Sequence, residues 1–294
     1  MKYLVTGATG FIGSHLLNQL ISANNEVYAL RRPGSKPHIF INEEPIWING
    51  NLDDLRDQDF TGVDCLIHLA AHGVESSKAN WQECFRWNVT SSLELWLRGA
   101  RAGIENFLIC GSCFEYGRSA ESFEFIPTSA PLLPTGPYHA SKAAATMAAS
   151  AFAETEKKKV WVLRPFHVFG DGESSKRLYP QILAAARSGK DLPLTGGNQV
   201  RDFINVREVA RLLYGYSLLL SGSDKLFHIS NLGSGDPRPL KAFITQIWTE
   251  EKATGQLLFG ALPYRDNEVM RYVPKIDKAE QDAAIEALLR LDVP

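Results

Sequence analysis

The chain has 294 residues, 45% apolar and 22% charged, enough to bury a large core in one big domain or two unequal ones. Its 31 basic and 33 acidic residues are mixed along the chain for a formal net charge of -2, which excludes the basic face that nucleic acid binding needs. No run reaches the roughly 20 apolar residues that span a bilayer, and glycines cut off the short apolar run after Lys2 before a signal-peptide core can form, so a cytoplasmic location is expected.

Of the four cysteines, Cys65, Cys84, Cys110 and Cys113, only Cys110 and Cys113 stand at CxxC spacing, and no second Cys or His pair accompanies them to complete a ligand set. That pattern suits free thiols in a reducing compartment, and no metal site is expected.

Lys2 to Thr6 reads as a strand, followed by a helix from about Phe11, with glycines at 7, 10 and 13. A strand feeding a helix in this way aims free backbone N–H groups and the positive end of the helix dipole at one spot, where a pyrophosphate belongs. Gly7 permits the tight turn, Gly10 lets phosphates approach the backbone, and Gly13 lets the helix pack closely on the strand. The spacing is GxxGxxG and not the commoner GxGxxG. Its weight comes from standing at the first strand of an alternating pattern.

The second strand, EVYAL, runs into Arg31-Arg32-Pro33-Gly34-Ser35-Lys36, with no acid between Tyr28 and Lys36. NAD sites place an acid there for the ribose hydroxyls, whereas a 2′-phosphate needs cations, so Arg31 and Arg32 favour NADP with NAD left open. Asn51 and Leu52, after the next apolar strand, are placed to meet the adenine.

Further on, DCLIHLAA, NFLICGS and VWVLRPF read as strands, and Trp81 to Ala102 and Tyr138 to Glu156 as helices. This alternation predicts an α/β fold, a doubly wound parallel sheet with helices on both faces. After Gly170 the rhythm loosens into turn-rich DGESS, TGGNQ and NLGSGDPRP, with helices at Lys176 to Arg187, Val206 to Leu220, Leu240 to Glu250 and Asp277 to Leu291. Residues 1–170 read as the dinucleotide-binding domain and 171–294 as a smaller substrate-binding lobe, part of which returns to the first.

Tyr138-His139-Ala140-Ser141-Lys142 opens a helix, so phenol and ammonium share a face. With nine tyrosines in the chain, that spacing alone proves little. Ser112 strengthens it by ending the strand NFLICG at the carboxyl edge, where open α/β sheets bind ligands. A phenol near its ordinary pKa of about 10 is a poor acid or base unless a cation stabilises the phenolate, the role open to Lys142. Ser112 would hydrogen-bond the substrate oxygen.

Gly7-Ala8-Thr9-Gly10-Phe11-Ile12-Gly13, the GSCFEYG segment, YHASK and RDFINV together resemble the extended short-chain dehydrogenases, also called the NAD-dependent epimerase/dehydratase family, over nearly the whole chain. The resemblance implies a Rossmann domain and nucleotide-sugar substrates. DGESSKRLYPQIL, GGNQVRDFINV and FGALPYRDNEVM look most like the CDP-abequose synthase group of nucleotide-linked 4-keto-6-deoxysugar reductases. It makes Ser112, Tyr138 and Lys142 the catalytic triad, with Asn88 supporting the lysine. Arg201 and Arg265 would clamp the nucleotide diphosphate, a task suited to bidentate arginine. Cofactor contacts would extend to Thr9, Phe11, Ile12, Leu69, Ala70, Ala71, Asn88, Pro165 and His167, and substrate contacts to Cys113 and His167, the latter standing where relatives usually have Asn. The two long helices resemble those of a four-helix homodimer interface.

Family members that dehydrate sugars carry a glutamate or carboxylate pair just before the Tyr-Gly of the serine segment, where this chain has Cys113 and Phe114. Glu115 comes one residue later, which in an extended segment turns it to the other face. GDP-fucose synthases place a cysteine where Phe114 stands, and Cys113 is one position off. Family 4-epimerases keep NAD, with an acid where this chain has Arg31. The expected reaction is NADPH-dependent reduction of the C4 ketone of a nucleotide-linked 4-keto-deoxyhexose, Tyr138 giving the proton. The alternatives are an NAD-dependent nucleotide-sugar 4-epimerase and a non-catalytic nucleotide-binding protein.

Overall fold

The computed structural model describes residues 1–75, 78–266 and 268–291. Its first half runs β1 (Lys2–Thr6), α1 (Phe11–Ser22), β2 (Glu26–Arg31), β3 (Ile46–Asn49), β4 (Cys65–His68), α2 (Trp81–Phe85), α3 (Ser91–Arg101), β5 (Asn106–Cys110), α4 (Pro137–Glu156) and β6 (Lys159–Pro165). The second half runs β7 (Val168–Phe169), α5 (Leu178–Ser188), β8 (Leu192–Leu194), β9 (Val200–Asp202), β10 (Ile204–Asn205), α6 (Val206–Gly222), β11 (Phe227–Leu232), β12 (Pro237–Pro239), α7 (Leu240–Glu250), β13 (Leu257–Phe259), β14 (Arg271–Tyr272) and α8 (Lys278–Leu289).

The apolar runs of β1, β4, β5 and β6 are buried because helices cover both faces of the sheet they form. That sheet is parallel, with strand order β11-β6-β5-β4-β1-β2-β3. The order reverses at β1, so the loops leaving β1 and β4 part and open a crevice at their carboxyl ends. One core layer packs Leu16, Leu17 and Leu20 of α1 with Val209, Leu213 and Tyr216 of α6. The other packs Trp96 of α3 with Ala149 and Phe152 of α4.

The stretch from Trp81 bends in mid-course: α2 and α3 are joined by a π turn at Arg86–Thr90. Within that turn Asn88 is the buried residue. Beyond Gly170, α6 packs against α1 and α8, and β11 pairs with β6, so these elements extend the first layer. A separate small core of Ile182, Phe203, Phe243, Ile247 and Trp248 holds α5 and α7 together.

Candidate active site

Thr6 and His68 end neighbouring strands in register, and the crevice opens just beyond them. Gly7 has φ +68°, and a Cβ there would stand 2.6 Å from the Ala70 nitrogen, while one on Gly13 would stand 2.2 Å from the Gly7 carbonyl oxygen. The chain's own packing demands both glycines. Gly10 differs, because a Cβ there would meet only the Gly7 carbonyl oxygen, at 3.1 Å. α1 follows Gly10 with no side-chain cap and no acid in its first turn, leaving its leading N–H groups to an anion. These features fit a dinucleotide pyrophosphate.

Phe11 and Ile12 are half-buried at the start of α1, as are Leu69 and Ala70 after β4, and Ala71 is exposed. Beneath the crevice, His68 Nδ1 lies 2.8 Å from Thr6 Oγ1 and its Nε2 2.9 Å from Ser92 Oγ. Burial first, and the Lys142 charge second, lower its pKa to about 3, so the bridge is neutral.

After β5 the chain turns at Ser112 into a 3₁₀ turn, Cys113–Glu115, which Ser112 caps by accepting from the Phe114 N–H at 3.2 Å. Pro137 opens α4, its fixed φ suited to the first helical position. The Tyr138 phenol lies beside Ser112, and Lys142, one turn on, donates to the Cys110 carbonyl at 2.6 Å. Serine, phenol and ammonium therefore gather at the carboxyl end of β5.

Their electrostatics differ from the sequence expectation. Burial pushes the Tyr138 phenol above its ordinary value, Cys110 adds to the rise, and the neighbouring Ser112 only partly opposes it. The phenol is thus held in its acid form, not made acidic. Asn88 also departs from expectation, since its side chain accepts from the His72 N–H at 2.7 Å and donates to the His72 carbonyl and Ser141 Oγ, each at 2.9 Å. It ties the loop after β4 to α4 and meets the lysine only through Ser141.

At the end of β2, Arg31 donates through Nε to Asn49 Oδ1 at 2.9 Å and lies 4.5 Å above the Trp47 ring. Arg32 is exposed in a turn closed by the Ser35 N–H, and Thr9 Oγ1 donates to Ser35 Oγ at 3.4 Å, joining the glycine loop to the basic turn. Asn51 is exposed, its N–H donating to Asp54 Oδ2 at 2.7 Å. The Leu52 side chain is not placed for the adenine: it is buried in the core with Phe60 and Trp96, because an apolar side chain beside that core gains more inside it than at the rim.

On the far wall, His167 stands beside Pro165 with its ring between Phe203 and Tyr272, each centroid 5.9 Å away. Its Nδ1 is buried with no partner among the described residues. Burial, then the Arg201 charge, lower its pKa to about 3. Arg201 is not an open clamp, since its Nη2 lies 3.0 Å from Glu268 Oε1 and 2.7 Å from the Val269 carbonyl. Arg265 is exposed in the same turn, its carbonyl accepting the Glu268 N–H at 3.1 Å. Cys113 belongs to the wall and not to an open site: it packs with Tyr116, Phe166 and Tyr272, and burial pushes its thiol up to about 12.

The model of the NAD dependent epimerase/dehydratase family matches residues 3–218. The chain belongs to this family. CDP-abequose synthase of Salmonella muenchen is 26% identical over 272 residues, 92% of this chain and 87% of that protein. The UDP-N-acetylglucosamine 4-epimerase of Methanobrevibacter ruminantium M1, solved with UDP-N-acetylmuramic acid, shares the fold at TM-score 0.84 and 23% identity, over 98% of this chain and 97% of that one. MoeE5, in complex with UDP-glucuronic acid and NAD, matches at TM-score 0.79 and 25% identity over 99% of each chain.

In this epimerase/dehydratase family member Glu115 faces away from the crevice, though the reason is a 3₁₀ turn and not an extended strand. Its carboxylate is fully buried against Arg164, Nε to Oε2 at 2.8 Å. The sequence reading missed this pair. Its signal was a charge inside the apolar strand VWVLRPF, which needs a buried partner.

Proposed function

We propose that this family member reduces the C4 ketone of a nucleotide-linked 4-keto-deoxyhexose, with NADPH as hydride donor, in deoxysugar biosynthesis. The observation that carries the reading is the gathering of Ser112, Tyr138 and Lys142 at the carboxyl end of β5, with burial raising the Tyr138 phenol above its ordinary value. Reduction needs one proton donor at the new hydroxyl and an orienting group for the carbonyl, the roles of Tyr138 and Ser112. The bound dinucleotide supplies the hydride. Dehydration would need a carboxylate from the serine segment, and Glu115 is tied to Arg164. The likeness to CDP-abequose synthase supports a nucleotide sugar as substrate. Arg31 supports NADP, because its terminal nitrogens keep donors for a 2′-phosphate while Asn49 and Trp47 steady the side chain. Two copies would pair through α2 and α4, where Trp81, Phe85 and Met147 are exposed.

One observation favours a second reading, NAD-dependent 4-epimerisation: MoeE5, 25% identical over 99% of each chain, is solved with NAD. The test is incubation with NADPH and CDP-, dTDP-, UDP- and GDP-linked 4-keto-6-deoxyhexoses. Reductase activity oxidises one NADPH per product formed. Interconversion of 4-hydroxy sugars by protein that retains NAD, with no net cofactor change, would select the epimerase instead.

A further inference from the structure

A connected cluster of buried polar side chains lies behind Ser112. Glu115 and Arg164 have side chains 0% and 1% exposed. Glu115 Oε1 accepts the Ser112 backbone N–H at 2.8 Å, and its Oε2 accepts both Thr146 Oγ1 and Arg164 Nε, each at 2.8 Å. Arg164 Nη1 donates to the Tyr116 hydroxyl at 2.8 Å, which in turn donates to Asn231 Oδ1 at 2.7 Å. A Cβ on Gly111 would stand 2.7 Å from Glu115 Oε1, so the glycine before Ser112 is what admits the carboxylate.

One carboxylate therefore touches three parts of the site: the serine turn, β6, and α4 one turn beyond Lys142. A buried ion pair is a poor way merely to fill space, because apolar side chains of similar volume stabilise as well or better. What the pair supplies is direction. We infer that Glu115, held by Arg164, is a positioning residue that fixes the Ser112 hydroxyl against Tyr138. It acts through Ser112 and touches no reacting atom, and the inference rests on the proposed reading of Ser112 as the group that orients the substrate carbonyl.

Glu115→Gln is the informative change. An amide has one acceptor oxygen, so either the Ser112 N–H or the Arg164 Nε–H must face an NH₂ group, donor against donor. The serine turn shifts, and displacements of about 1 Å can cost on the order of 100-fold in rate.

The test is a double-mutant cycle of wild type, Ser112→Ala, Glu115→Gln and the double variant. Each is checked for folding by circular dichroism and assayed with NADPH and whichever 4-keto-6-deoxyhexose nucleotide the wild type reduces fastest. Glu115→Asp, which keeps the charge and shortens the reach, replaces Glu115→Gln if that variant does not fold. The expected result is a kcat lowered about 10- to 100-fold by Glu115→Gln, with NADPH Kd within about twofold of wild type and less than about threefold further loss when Ser112 is already Ala. An unchanged kcat, or the same fold-loss with and without the serine hydroxyl, overturns the inference while leaving the reductase reading intact. A Ser112→Ala variant with wild-type turnover overturns the reading of Ser112 and the inference with it.

Discussion

Lys142 follows Tyr138 by one helical turn, yet its ammonium points to the Cys110 carbonyl, 2.6 Å away, while burial keeps the phenol above its ordinary value. A phenol in this state holds its proton through neutral pH, as a donor to a newly reduced carbonyl must. Tyr138→Phe should lower kcat by about 100- to 10,000-fold with NADPH Kd almost unchanged. For the wild type, kcat for ketone reduction should stay level from about pH 6 to about pH 9, because the raised phenol does not begin to lose its proton in that window. A fall in kcat centred near neutrality, or an active phenylalanine variant, would remove Tyr138 from the role.

Arg31 is the residue on which cofactor choice turns. Charge-assisted bonds to a phosphate are worth about 1.5 to 3 kcal/mol, so Arg31→Asp should raise the KM for NADPH about 10- to 150-fold and leave that for NADH nearly unchanged. Steady-state kinetics with both cofactors decides it. An equal effect on the two would mean that Arg31 serves only its contacts with Asn49 and Trp47.

Two glycines of the first loop should respond in opposite ways. Alanine at Gly13 puts a Cβ 2.2 Å from a backbone oxygen that cannot swing aside, whereas at Gly10 the single neighbour is 3.1 Å away. Gly13→Ala should lose about 1 to 3 kcal/mol of stability, read by urea unfolding. Gly10→Ala should keep the wild-type unfolding midpoint and weaken NADPH binding at least about tenfold, because its methyl group stands where the pyrophosphate would approach the helix start. Equal losses of stability would show that the two glycines do the same work.

What was legible in the sequence was local. The glycine loop, the four-residue spacing of Tyr138 and Lys142, and helices such as Leu240–Glu250 follow from short-range period and turn chemistry. Partners brought together by the sheet were not. Arg164 meets Glu115 across 49 residues, and Arg201 meets Glu268 across 67, so neither separation leaves a pattern to read. Leu52 was misplaced because spacing located its backbone at the rim, while its side chain turned into the core.

His68, buried, and His167, half-buried with its Nδ1 enclosed, should make this fold acid-sensitive in a specific window. His68 bridges Thr6 and Ser92 beneath the crevice, His167 lies between Phe203 and Tyr272, and burial lowers the pKa of each to about 3 from 6.5. A histidine with a depressed folded pKa binds its proton in the unfolded chain first, so the stability it contributes is intact above the unfolded value and is lost progressively as pH falls toward the folded one. At about pH 5 each should cost about 2 kcal/mol relative to neutral pH. Urea unfolding of wild type, His68→Asn and His167→Asn near pH 7 and pH 5 measures this. Asparagine cannot take up the proton, so each variant should lose about 2 kcal/mol less than wild type on acidification, whatever it loses at pH 7. A variant whose stability falls with acid as steeply as wild type would show that the histidine it replaces is already charged, or reachable by water, in the folded protein.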